Sequence, residues 1–87
     1  MFNRDQYIYP AIFTYEPGKE ISVYFPDLDV ATSGQTEDDA IGSACELLEC
    51  VLEGLDEDGD MIPDPTPINQ ITVKPNEQIM LVEYYPR

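Results

Sequence analysis

Eighteen Asp and Glu residues, two cysteines and no histidine make up the side chains with which this chain could do chemistry. The absence of histidine removes imidazole general bases, Ser-His-Asp triads and His-ligated zinc. Any catalyst built here would have to rest on carboxylates holding a metal. The densest acidic run, Asp56-Glu57-Asp58-Gly59-Asp60, invites a calcium loop, but with Gly59 at the sixth position Gly54 would fall at the first and Pro65 at the twelfth, where carboxylates are required. The run reads instead as a helix end followed by a turn. Cys45 and Cys50 stand five residues apart in a helical pattern, about 140° around its axis, so they cannot bridge each other there, and no further soft ligands exist to complete a metal site. Reduced, partly buried thiols in a reducing cytoplasm are expected. No metal, cofactor or catalytic residue is assigned.

The remaining acids are distributed unevenly. Between Lys19 and Lys74 there is no basic residue, while that interval holds fourteen of the eighteen acids. Glu46, Glu49, Glu53, Asp56 and Glu57 recur three or four apart, which lines like charges along one helical stripe at about 0.2–0.5 kcal/mol per pair. Acids in the last turn also oppose the helix dipole. Two readings stand side by side: a solvated face chosen for solubility, or a docking surface for a basic partner that complementary potential would steer into place. The net charge of −14 argues against direct binding to nucleic acid or anionic lipid, whose phosphates other proteins hold with Lys and Arg.

The elements that must position these groups can be read from the pattern. Eighty-seven residues make a single domain, 1–87. No apolar run long enough for a membrane span and no signal-peptide core are found, so a soluble, non-secreted protein is expected. Tyr7 to Tyr15 is dense in aromatic and β-branched residues and predicts a first strand, with Pro10 either near its start or at a place where its nitrogen needs no partner. Glu16-Pro17-Gly18-Lys19 supplies turn chemistry. Ile21, Val23 and Phe25 alternate with polar positions as a second strand, ended by Pro26. Asp27 and Asp29 fall in the following turn, where Asp commonly bonds its own backbone, and Val30 to Ser33 is a weak third strand closed by Gly34.

Thr36, with acids at 37 to 39, is a helix cap, and apolar residues at three- and four-residue spacing carry the helix from Glu37 to about Asp58, with Gly59 as its C′ residue. Gly42 and Gly54 cost it about 0.8–1 kcal/mol each relative to Ala, and close packing on the sheet is a reason for Gly42. Met61 to Pro67 predicts a stiff extended connector, Ile71 to Val73 a short extended piece, and Gln78 to Tyr85 a final strand. The expected fold is α/β in the broad α+β sense: order βββα-β, a small mixed sheet with one long helix on one face. Tyr7, Tyr9 and Tyr15 share one strand face, as core or as a self-association surface. The exposed sheet face and edge favour a homodimer or higher oligomer.

Four short motifs, in order, resemble the HicB-type antitoxin family: Tyr9-Pro10-Ala11-Ile12-Phe13; Ser22-Val23-Tyr24-Phe25-Pro26-Asp27-Leu28; Gly34-Gln35-Thr36 before an acidic helix start; and Leu52-Glu53-Gly54-Leu55 leading through Asp58-Gly59 to Ile62-Pro63. The resemblance covers about residues 9 to 85. It implies a partial, truncated ribonuclease-H-like fold whose task is non-catalytic occlusion of a small basic ribonuclease, a HicA-like toxin. Tyr9, Pro10, Phe25, Pro26, Asp27, Leu28, Gly34, Thr36 and Gly59 are then structural motif residues, with the acidic stripe as the partner-binding candidate. Two departures are expected to matter. Asp29-Val30 stand where the family has Pro-Gly, which changes a loop, and the DNA-binding segment that relatives carry after the last strand is not found before Arg87, so operator binding by this chain alone is not expected. Two-metal hydrolysis, the chemistry of the parent fold, would need converging carboxylates, and the first strand has none between Gln6 and Tyr15. The competing reading is an acidic nucleic-acid mimic that blocks another DNA- or RNA-binding factor.

Overall fold

The computed structural model describes residues 4–86. Four strands, β1 (Tyr7–Thr14), β2 (Ile21–Phe25), β3 (Val30–Gly34) and β4 (Glu77–Tyr84), form one sheet in the order β3-β2-β1-β4, with the helix α1 (Glu37–Glu57) between β3 and β4 in sequence. The α+β class and the βββαβ order are those expected. The sheet, however, is antiparallel throughout rather than mixed, because β4 runs against β1 along its whole length, from Tyr7↔Tyr84 to Thr14↔Glu77. A 3-10 turn at Ile68–Gln70 precedes Ile71, whose backbone is extended, φ −102° and ψ 122°, as expected of that short piece, which joins no strand of the sheet. The final strand starts one residue earlier than the pattern suggests.

Period-two alternation puts Tyr7, Tyr9, Ala11 and Phe13 of β1 on one face, beside Val23 and Phe25 of β2 and Val82 and Tyr84 of β4; all are buried. Onto this face α1 lays a stripe at four-residue spacing, Ala40, Ala44, Leu48 and Leu52, each fully buried. Tyr7 and Tyr9 are therefore core, with Tyr15 partly buried against it.

The small end of that stripe has a geometric cause. A Cβ at Gly34 would lie 2.3 Å from the Ala40 nitrogen and 2.6 Å from its Cα. Only glycine lets β3 run this close under the first turn of α1. Thr36 then caps the helix, its hydroxyl accepting from the Asp39 N–H at 3.1 Å. At the other end Gly59 takes φ 71°, while the Asp60 N–H donates to Leu55 and the Gly59 N–H to Asp56, at 2.9 and 3.2 Å. These two bonds make a Schellman cap, in which a left-handed residue lets the chain turn back to satisfy the last carbonyls. At Gly42 and Gly54, by contrast, a Cβ would meet nothing within 4 Å. Packing on the sheet does not explain Gly42.

Pro10 shows how the register is limited. The Tyr15 N–H donates to the Asn76 carbonyl at 2.9 Å, continuing the β1–β4 register by one pair. Since bonded and non-bonded pairs alternate in an antiparallel ladder, residues 7, 9, 11 and 13 of β1 bond to β4, and the even-numbered residues point toward β2. Extending the β1–β2 register, which runs from Thr14↔Ser22 to Ile12↔Tyr24, would set Pro10 against Pro26. Neither has an N–H to give, and the pairing stops at Ile12.

Candidate partner-docking surface

Helical periodicity places Glu46, Glu49, Glu53, Asp56 and Glu57 within an arc of about 100° on α1, away from the buried stripe. Glu46, Glu53 and Glu57 are exposed; Glu49 and Asp56 are half-buried. The last turn carries no basic residue, so the dipole and the like charges both remain uncompensated along the helix. One member is not simply solvated. The Tyr84 hydroxyl donates to Glu53 at 2.9 Å, which fixes that carboxylate over β4 and turns one side of the stripe toward the sheet edge. Asp56 lines a depression of about 360 Å³ with Arg4, Tyr7, Asp60, Met61 and Asp64. Arg4 pairs there with Asp64 at 2.9 Å and stacks on the Tyr7 ring at 5.9 Å from its centroid.

Of the motif residues, Gly34 and Thr36 lie at the start of α1 and Gly59 just past its end, and the others act in the core and at the connector. Phe25 is in the core, with Leu28 packed against it, and Pro26 and Asp27 are half-buried beside them. Asp27 does not bond its own turn, as its sequence context suggests. Its carboxylate accepts from the Thr66 N–H at 3.1 Å and from the Thr66 hydroxyl at 2.5 Å. Tyr9, buried, donates its hydroxyl to the Pro63 carbonyl at 2.5 Å. Burial pushes the Tyr9 phenol up to about 12, and the negative charges of Asp27 and Asp64 work in the same direction. Together these bonds clamp the proline-rich connector to one end of the sheet. Sequence spacing cannot pair Asp27 with Thr66, 39 residues on; the only local signal is that Thr66 interrupts a proline run otherwise poor in donors.

Asp29, in the loop between β2 and β3, adopts φ 52°, a left-handed conformation closed to proline. Its N–H donates to Phe25 at 2.8 Å and its carboxylate accepts from the Tyr24 hydroxyl at 2.9 Å, which raises the Tyr24 phenol pKa. On either side of this loop β2 and β3 pair over five residues. Among the described residues no group of three or more acids and cysteines is placed to hold a metal ion. Both cysteines are exposed rather than partly buried, because Cys45 and Cys50 flank the four-residue stripe instead of lying on it.

The sequence spacing did not reveal a second surface feature, a groove between α1 and β4. It has a volume of about 310 Å³ and is lined by Ile41 and Cys45 from the helix and by Met80, Leu81 and Glu83 from the strand, with Tyr85 just beyond it. Leu81 and Tyr85 are more than half exposed, at 53% and 57%. β4 is also an end of the sheet, so the groove coincides with a backbone edge that pairs with no other strand among the described residues.

No protein-family model matches the sequence, and no curated protein does. Among solved structures, the chain is similar to a chain of a toxin-antitoxin complex from Streptococcus pneumoniae, with a TM-score of 0.80 and 26% identity, over 90% of this chain and 68% of that one.

Proposed function

We propose that this protein is the antitoxin of a toxin-antitoxin pair, of HicB type, and that it binds and occludes a small basic ribonuclease toxin without catalysing a reaction itself. The observation that carries the reading is the likeness to a chain of a toxin-antitoxin complex, at TM-score 0.80 across 90% of the protein. The four ordered motifs support the finer assignment, and the structure gives several of their residues specific jobs: Gly34 and Thr36 seat the helix, Gly59 ends it, and Tyr9 and Asp27 clamp the connector. The net charge of −14 and the base-free helix complement a protein that must itself be cationic to hold RNA phosphates. No helix of the described residues is long and apolar enough to cross a membrane, in keeping with action in the cytoplasm, where such a toxin meets RNA. The same charge opposes operator binding by residues 1–87 alone.

The test is co-expression with the product of the adjacent reading frame. Growth arrest by that product alone, relief of the arrest by this chain and co-purification of the two support the antitoxin reading. An adjacent product that neither arrests growth nor binds overturns it. Capture of a DNA- or RNA-binding factor encoded elsewhere, at the same acidic surface, assigns the chain to nucleic-acid mimicry instead.

A further inference from the structure

We propose that β4 is where the partner docks, by adding an extended segment of a basic protein to the free edge of the sheet. The inference rests on the antitoxin reading and names the mode of binding. The first ground is the backbone. With Tyr15 bonded to Asn76, alternation along the β1–β4 register assigns the even-numbered residues of β4 to β1 and turns the N–H and C=O of Ile79, Leu81 and Glu83 outward. The Glu77 N–H, of the same parity, indeed bonds Lys74 rather than β1, at 2.9 Å. β4 ends the strand order, so no strand among the described residues meets this outward row.

The second ground is the groove beside that row. A strand laid along β4 would send every second side chain toward α1, onto Ile41, Cys45 and Met80, and the intervening ones toward the exposed Leu81. This matches β-strand addition, in which the main chain supplies hydrogen bonds and alternate pockets supply selectivity. The opposite edge offers less, because β3 has five residues against the eight of β4.

The third ground is charge, and it chooses the occupant. Neither α1 nor β4 contains a Lys or Arg. Glu77 and Glu83 stand on the strand itself, Glu53 is fixed beside it by Tyr84, and Glu49 lies one turn earlier on the same side of the helix. Acids on an edge strand disfavour pairing with a second copy of the same strand, and two chains of −14 repel. A segment that alternates apolar residues with Lys or Arg meets both the groove and its rim.

Amide hydrogen exchange decides the matter without altering the chain. In the isolated protein the amides of Ile79, Leu81 and Glu83 should exchange freely while those of Met80 and Val82, bonded to β1, are protected. In the complex with the product of the adjacent reading frame, the three outward amides should slow at least about tenfold. Leu81→Pro, which deletes an outward donor and leaves the β1 ladder bonds in place, should weaken that complex about tenfold or more. Ser33→Pro on the β3 edge should not. Should Leu81→Pro fail to fold, a bulky maleimide on Cys45 in a Cys50→Ser background fills the groove from the side and should weaken binding to the same extent. A complex that forms while Ile79, Leu81 and Glu83 stay unprotected overturns the docking mode and leaves the antitoxin reading standing; absence of any complex overturns the reading on which it rests. Protection of those amides in the isolated chain that rises with its concentration gives the edge to a second copy and overturns the choice of occupant.

Discussion

Asp27 and Thr66 lie 39 residues apart in sequence and are joined by one carboxylate that accepts both the backbone N–H and the side-chain hydroxyl of the threonine. The bond spans the turn after β2 and the connector after α1. Hydrogen bonds to a charged group contribute about 1.5–3 kcal/mol when partly buried. Asp27→Ala should therefore lower stability by roughly that amount in urea unfolding, and Thr66→Val by less, since it keeps the N–H. A double-mutant cycle should show coupling of about 0.5–3 kcal/mol between the two positions. Additive effects would mean that the carboxylate acts elsewhere.

Gly34 and the two glycines inside α1 respond to a methyl group with opposite signs. Gly34→Ala forces a methyl against the Ala40 backbone and should cost at least the 1–3 kcal/mol typical of about one excess methylene in a packed site. Gly42→Ala and Gly54→Ala meet open space and should each stabilise the helix by about 0.8–1 kcal/mol. Thermal melting of the three single variants separates these expectations, and a destabilising Gly42→Ala would show that the position is constrained by something other than the packing described above.

Tyr9 predicts an alkaline limit to stability. Its phenol titrates near 10 when unfolded and at about 12 when folded. Between these values the unfolded chain has lost the proton that the native state still holds, so stability is full below about pH 10 and falls as pH rises toward 12. Tyr9→Phe should remove its share of that slope and, through the lost bond to Pro63, cost about 1 kcal/mol at neutral pH. Urea midpoints at pH 8, 10 and 11 for both proteins provide the check; identical slopes would assign the alkaline loss to other groups.

Charge reversal along the helix separates solubility from docking. Glu46, Glu49 and Glu57 changed to Lys should stabilise the fold by about 0.2–0.5 kcal/mol for each like-charge pair relieved, and should slow association with a basic toxin while flattening its salt dependence. Glu53→Lys differs, because it also breaks the bond from Tyr84 and should lose stability. Stopped-flow association at two salt concentrations reads the first effect. An unchanged rate at low salt would return these three acids to a solubility role.

The class and order of elements were legible in the sequence because each is set locally. The alternation of β2, the three- and four-residue spacing from Ala40 to Leu55, the Thr36 cap and the Gly59 stop each act over one or two turns of chain. The charge, and with it the expectation of a basic partner, is also a property of composition. Three-dimensional pairing decided the rest. The direction of β4 relative to β1 depends on how the connector returns, and Asp27 and Tyr9 bond that connector at Thr66 and Pro63. The exposure of Cys45 and Cys50 follows from which face of α1 meets the sheet. The groove beside β4 arises only when that strand becomes the end of the sheet: an edge is a relation between strands, and spacing along one of them does not contain it.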